Sequence, residues 1–218
     1  MVKPRIFGEM IEELWSLPTS VCVGLDSDYS QIPDACRVRG SSSVEQTIVR
    51  FNRAIIEATH DLVCAYKINV AFYEAYGTDG IYALIRTIEH INTCAPEIPV
   101  ILDAKRADIG NTNFGYITSA FDIFNADAIT VSPYLGQDAL QPFLDCKSKG
   151  IIVLCRTSNP GAGEFQDLFT LTHDPKDKPT KLSAEEWLFN PHYEIGLNPR
   201  SEYLNRVLLK YPMSSSVA

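Results

Sequence analysis

Five short apolar runs punctuate the chain, at 20–26 (SVCVGLD), 62–69 (LVCAYKIN), 98–105 (IPVILDAK), 126–134 (ADAITVSPY) and 150–161 (GIIVLCRTSNPG). Each is β-rich and none alternates cleanly between apolar and polar positions, which predicts strands buried on both faces, as in a parallel sheet covered by helices. Between the runs the apolar period lengthens. Val44, Ile48, Phe51 and Ile55 mark one helical face, Ile81, Leu84, Ile85 and Ile88 a second, and Phe114, Ile117, Phe121 and Phe124 a third. Ser43 with Gln46 fits a capping box at the start of the first helix. Strand and helix alternating through short joints means βαβ units.

Such a sheet either closes into a barrel or stays open and doubly wound. No GxGxxG follows the first run and no GxxxxGK[ST] occurs anywhere, so the commonest signatures of the open form are missing. Polar residues instead end every run: Asp26, Lys67 with Asn69, Asp103 with Lys105, Ser132, and Thr157 with Ser158. In a (β/α)8 barrel those carboxyl ends converge on one mouth, and the chemistry sits there. The expected class is α/β, of the (β/α)8 TIM-barrel type.

After Asp167 the pattern changes. The segment 168–218 is polar, rich in Pro and Lys and without β-branched runs, and only 194–212 faintly echoes a further strand and helix. The expected organisation is a barrel-type core over 1–167, incomplete after its fifth or sixth strand, followed by a divergent segment over 168–218.

Composition adds exclusions. At 218 residues and 45% hydrophobic the chain can bury a sizeable core, and a net charge of -8 without a long basic run argues against nucleic acid or an anionic membrane as main partner. No stretch approaches the ~20 apolar residues of a membrane span, and the N-terminus lacks a signal-peptide core. Six cysteines (Cys22, Cys36, Cys64, Cys94, Cys146, Cys155) form no CxxC, and His60, His90, His173 and His192 have no metal-ligand spacing. A soluble, cytoplasmic protein with no metal site is expected.

The stretch VILDAKRADIGNT (100–112) carries the candidate chemistry, because four charged residues, Asp103, Lys105, Arg106 and Asp108, follow directly on a buried run. Positions 103 and 105 share one face of a strand. Any one of these residues alone fits a solvated strand cap. Lys67, Asp103, Lys105 and Asp108 taken together make an alternating cluster. Two opposite unit charges 4 Å apart attract by roughly 4 kcal/mol at an effective dielectric of 20, so alternation lets such a cluster stay ionised while partly buried.

DAKRADIGNT, with GLD at Asp26, YKIN at Lys67 and SPY at Ser132, resembles the orotidine 5'-monophosphate decarboxylase family, in its bacterial-type branch, from about Val21 to Gly161. The DxKxxD core is shared with aldolase-type barrels such as hexulose phosphate synthase, and the flanking matches narrow the resemblance to the decarboxylase. It implies loss of carbon dioxide from orotidine monophosphate to give uridine monophosphate, with neither metal nor organic cofactor. Lys105 is then the proton donor to C6, Asp103 the carboxylate beside the departing group, and Lys67 and Asp26 hold ribose hydroxyls. Asn69 and Ile109 are further candidate substrate contacts, and Ser132 meets the pyrimidine edge. Ser158, just past a strand end, is a candidate in a substrate loop, against the alternative that SNPG is an ordinary turn. Asp108 and Thr112 are implied to reach across a homodimer interface into the neighbouring site. The family's glycine loop and arginine that grip the phosphate have no counterpart in the sequence. Two other readings stay open: a metal-dependent aldolase-type barrel, which a chelator would stop, and a non-catalytic incomplete barrel that persists by pairing with another chain.

Overall fold

The computed structural model describes residues 4–16, 21–40 and 43–167, together with the backbone of 170–171 and 181–182. His173, His192 and the 194–212 echo lie outside the described residues. The chain divides into two compact units, Met1–Cys155 and Arg156–Ala218, a division that falls ahead of the 167/168 boundary suggested by composition.

In the first unit, five parallel strands, β1 (Val21–Gly24), β2 (Val63–Asn69), β3 (Val100–Arg106), β4 (Ala128–Val131) and β5 (Gly150–Val153), pair in sequence order. An open doubly wound sheet reverses its strand order at a switch point. Consecutive order without reversal is the strand order of a (β/α)8 barrel, so the arrangement belongs to that class. Helices α1 (Phe7–Trp15), α2 (Ser43–Thr59), α3 (Ala71–Glu74), α4 (Gly77–Cys94), α5 (Gly110–Ile117) and α6 (Gln137–Leu144) fall around and between the strands.

The core lies where strand residues at period two meet helix residues at period 3.6. Tyr66, Ile68, Val100, Leu102, Ile129 and Val131 from the sheet join Ile48 and Ile56 of α2, Leu84, Ile88 and Ile91 of α4, and Leu140 and Phe143 of α6 in one buried cluster. Each such side chain contributes about 1.5–3 kcal/mol on leaving water.

The sheet is less symmetric than its sequence suggests. Along β3, Val100, Leu102 and Ala104 are buried, whereas Ile101 and Asp103 are only half-buried. One face is therefore sealed by helices, and the other, which carries Lys67 and Asp103, keeps access to water.

Two helical expectations are also corrected. The third apolar face does not run straight through, because α5 passes into a π-helical turn over Thr118–Ile123. The wider i→i+5 turn rotates the face, so that Phe121 is buried and Phe114 is 61% exposed. Helix α2 starts at Ser43 itself, which places that residue in the first turn instead of ahead of it. The residue before it lies outside the described residues.

Beneath the first strand end, polar groups are buried together. Asn52 of α2 is fully buried; its amide donates to Tyr73 Oη at 2.8 Å and Thr87 Oγ1 at 3.0 Å, and it accepts from Ser27 Oγ. Tyr73 passes its own hydrogen to the Leu25 carbonyl at 2.7 Å. Burial pushes the Tyr73 phenol up, so it stays a protonated donor. Gly80 allows this approach, since a β-carbon there would overlap the Tyr73 carbonyl. The network grips Leu25 and Ser27, on either side of Asp26.

The second unit carries a 3₁₀ turn at Pro160–Ala162 and α7 (Gly163–Gln166), followed by an antiparallel pair of β6 (Thr170–Leu171) with β7 (Lys181–Leu182). Arg156 pairs with Asp167 through Nε at 2.7 Å and Nη2 at 3.0 Å. The Thr157 amide donates to Gln166 Oε1 at 2.8 Å. Ser158 sits in the loop that these contacts tie down.

Candidate active site

Four charges meet at the carboxyl ends of the first three strands. Lys67 Nζ lies 2.9 Å from Asp26 Oδ2 and 3.4 Å from Asp103 Oδ2, and Lys105 Nζ lies 2.6 Å from Asp103 Oδ1. The order along the sheet, Asp26, Lys67, Asp103, Lys105, alternates in sign. The parallel register is the cause. Asn69 of β2 stands opposite Asp103 of β3 and Gly24 of β1 opposite Lys67, so neighbouring strand ends carry their side chains to one face.

Burial sharpens the interaction unevenly. The Asp103 side chain is 12% exposed, whereas that of Lys105 is 49% exposed. Desolvation works against a charged Asp103, but hydrogen bonds from Lys105 and Thr130, with the charges of Lys105 and Lys67, outweigh it and hold the carboxyl below its ordinary range. At Lys67, desolvation opposes the ammonium, and the hydrogen bonds and charges of Asp26 and Asp103 outweigh it, so its pKa is raised. Asp103 and Lys67 are therefore both ionised at neutral pH.

Strand β3 reaches this arrangement through an irregular end. Its pairing with β4 passes from Leu102–Ile129 to Arg106–Val131, so four steps of β3 lie against two of β4. Lys105 takes a left-handed backbone at φ 47° and Ala107 one at φ 121°. A non-glycine residue held there costs on the order of 1–3 kcal/mol and persists only where its surroundings over-determine it. Arg106 turns away: its guanidinium meets Glu74 Oε1 at 2.7 Å, donates to the Ala104 carbonyl at 3.1 Å and lies 5.1 Å from the Tyr116 ring centre.

The remaining candidates are placed differently. Asn69 serves Asp26 through its backbone, whose N–H donates to Asp26 Oδ1 at 2.9 Å, while its side-chain oxygen accepts from Ala71 N–H. Ser132 Oγ accepts from the Tyr134 amide at 3.4 Å at the end of β4. Asp108 Oδ1 accepts from the Ile109 amide at 2.7 Å, and among the described residues it makes no ion pair with the cluster. Within this chain, then, Asp26 and not Asp108 completes the group of four. Ile109 is 66% exposed and Thr112 is exposed at the start of α5. Ser158 belongs to the second unit.

Two polar residues that sequence reasoning passed over also shape the site. Asn113, fully buried, accepts from Asp108 N–H at 2.7 Å and donates to the Asp108 carbonyl and to the Ala139 carbonyl at 2.9 Å, which fixes the 108 turn against α6. Thr130 of β4 bonds to three consecutive residues of β3. The one available signal was a polar residue inside an otherwise apolar strand run.

Among the described residues no helix is long and apolar enough to cross a membrane, and no group of three or more His, Cys, Asp or Glu could hold a metal ion. Cys22, Cys36, Cys64, Cys94 and Cys146 carry free thiols.

A family model described as "Orotidine 5'-phosphate decarboxylase / HUMPS family" matches residues 19–186. Orotidine 5'-phosphate decarboxylase of Herpetosiphon aurantiacus is 47% identical over 180 residues, covering 82% of this chain and 64% of the relative. The protein of that name from Thermomicrobium roseum is 50% identical over 163 residues, covering 74% of this chain and 55% of the relative. This chain thus spans less than two thirds of the length of either. The solved structure of Leishmania donovani OMP decarboxylase superposes with a TM-score of 0.63 at 38% identity, over 76% of this chain and 58% of that one.

Proposed function

Because this chain belongs to the orotidine 5'-phosphate decarboxylase / HUMPS family, we propose that it converts orotidine monophosphate to uridine monophosphate and carbon dioxide, in pyrimidine nucleotide synthesis in the cytoplasm. The observation that carries this reading is the shared carboxylate: Asp103 lies between the ammonium groups of Lys67 and Lys105.

The reaction breaks the bond from C6 to its carboxylate, leaves the electron pair on C6 and releases carbon dioxide. Lys105 delivers its proton to C6, and the resulting amine regains a proton from water. A positive group fixed beside the developing carbanion stabilises the transition state without reorganising as charge builds. Asp103 stands where the substrate carboxylate arrives, so it holds Lys105 and disfavours the bound ground state. Asp26 and Lys67 take ribose hydroxyls and Ser132 the pyrimidine edge, with Asn69, Ile109 and Thr112 as further substrate contacts. No metal or organic cofactor enters the scheme.

Asp108 and Thr112 serve the site of a second copy in a homodimer. The exposure of this turn supports that reading, since Ile109 and Phe114, next along the chain, are apolar side chains left open to solvent.

The test is an absorbance assay of orotidine monophosphate with wild type beside Lys105→Ala, run with and without chelator. Wild-type turnover that survives chelation, and a loss of at least about 10³-fold in the variant, is expected. Equal rates for the two proteins overturn the assignment of Lys105. The dimer is tested by mixing Lys105→Ala with Asp108→Ala: exchange of subunits creates hybrids with one intact site, restoring activity toward roughly a quarter of the wild-type value.

A further inference from the structure

We propose that Thr130 is a positioning residue whose hydroxyl sets the working geometry of both Asp103 and Lys105. The proposal deepens the decarboxylase reading of the same cluster and rests on it. Thr130 lies in β4 and is 7% exposed, so no water competes freely for its hydroxyl.

The irregular pairing of β3 with β4 leaves the Ala104 and Lys105 amides without the strand carbonyls that a regular ladder would offer. Thr130 Oγ1 takes the place of both, accepting from Ala104 N–H at 3.0 Å and Lys105 N–H at 2.9 Å. It also lies 2.9 Å from Asp103 Oδ1. A hydroxyl has two lone pairs and one hydrogen. An amide N–H can only donate, so the two amides use both lone pairs, and the hydrogen is committed to Asp103. Valence alone fixes the direction of this third bond.

Two consequences follow. Asp103 Oδ1 receives donors from Thr130 and Lys105 together, an arrangement suited to the ionised carboxylate. The two amide bonds also hold the left-handed turn at Lys105, so the same oxygen that orients the carboxylate fixes the backbone from which the ammonium extends. A β-branched residue in a strand needs no special reason. Valine, however, would satisfy the strand equally well and offer none of the three bonds, so the choice between threonine and valine isolates the hydroxyl.

The experiment uses the full chain with Thr130→Val, Thr130→Ala and Thr130→Ser. It reads kcat and KM with orotidine monophosphate and, separately, the titration of the Asp103 carboxyl by ¹³C NMR. The charged neighbours of that carboxyl, Lys67 and Lys105, with Asp26 behind Lys67, are unchanged throughout. Valine and alanine are expected to lower kcat by about 10²-fold, the scale of a misplaced reacting group, with KM moving less than about threefold. Serine recovers most of the loss. The Asp103 titration moves up in valine and alanine and stays in serine.

An unchanged kcat in valine, failure of serine to recover activity, or an unmoved titration overturns the proposal. If valine does not fold, serine against alanine makes the same comparison at equal loss of the methyl group. If wild type itself does not turn over the substrate, the decarboxylase reading fails, and the titration alone decides whether Thr130 sets the pair.

Discussion

The two ends of the sheet hold aspartates in contrasting ways. At the amino end Asp127, 1% exposed, accepts from Arg5 Nε at 2.8 Å and Nη2 at 2.5 Å and from the Val100 amide at 2.9 Å, while Arg5 also donates to the Ile98 carbonyl. Its bidentate partner and backbone donor occupy three of its acceptor positions. At the carboxyl end Asp103 is held by two lysines that remain 31% and 49% exposed, on a strand whose backbone is strained. In the first pair a nearly buried carboxylate is bound by one forked guanidinium; in the second a less buried carboxylate is bound by two separate ammonium groups and relies on neighbours for orientation. The division between a stabilising amino end and a reactive carboxyl end is the one expected of barrel strands.

The contrast can be broken most strongly by exchanging the lesions. Asp103→Ala is expected to remove decarboxylation by more than about 10³-fold, or roughly 4 kcal/mol of barrier. It should move the urea unfolding free energy by about 1–3 kcal/mol, because Lys67 keeps Asp26 and Lys105 turns to water while only the Thr130 hydroxyl loses a buried acceptor. Asp127→Ala reverses the pattern: it leaves a partly buried guanidinium unpaired and costs about 3–5 kcal/mol of stability, while the folded fraction keeps its kcat. If urea melts show the larger loss for Asp103→Ala, the distinction between the two ends fails.

Asn52→Ala is expected to cost about 1–3 kcal/mol in the same melts, since Ser27, Tyr73 and Thr87 lose a buried partner. A shift under about 0.5 kcal/mol would mean that water replaces the amide without penalty.

The smallest effect is the dependence of stability on pH. Asp103 titrates below its ordinary value of 3.8 in the folded chain, so its contribution is complete above that value and is lost as pH falls through the lower folded pKa. Lys67 titrates above its ordinary 10.5, so its contribution is present below 10.5 and is lost as pH rises through the higher folded pKa. Melts of wild type beside Asp103→Asn should therefore lie parallel at neutral pH and converge on the acid side.

The carboxyl-end half of this contrast was legible in the chain itself, whereas the pairing of Arg5 with Asp127, 122 residues away, was not, and the reason is local. Apolar runs report strands, and polar residues closing those runs report the end of the sheet that faces solvent. Lys67, Asp103 and Lys105 could be placed together from these two facts. What was hidden depends on partners distant in sequence. Asn52 reads as one polar position on an amphipathic helix until Tyr73 and Thr87 surround it. Thr130 reads as an ordinary strand residue until the neighbouring ladder opens beside it. Phe114 fits an α-helical period that the π-helical turn then shifts, and no side-chain pattern announces that extra residue.

On the proposed decarboxylase reading, the left-handed turn at Lys105 sets stability and chemistry against each other at a single codon. Glycine would relax the backbone there at once, and asparagine would fit it more readily than most residues, yet neither carries an amine. A lineage released from the reaction should drift toward those two residues and grow more robust as it does so. Lysine at this position therefore works as a marker of continuing selection, and the Lys105→Gly protein should outlast its parent on heating.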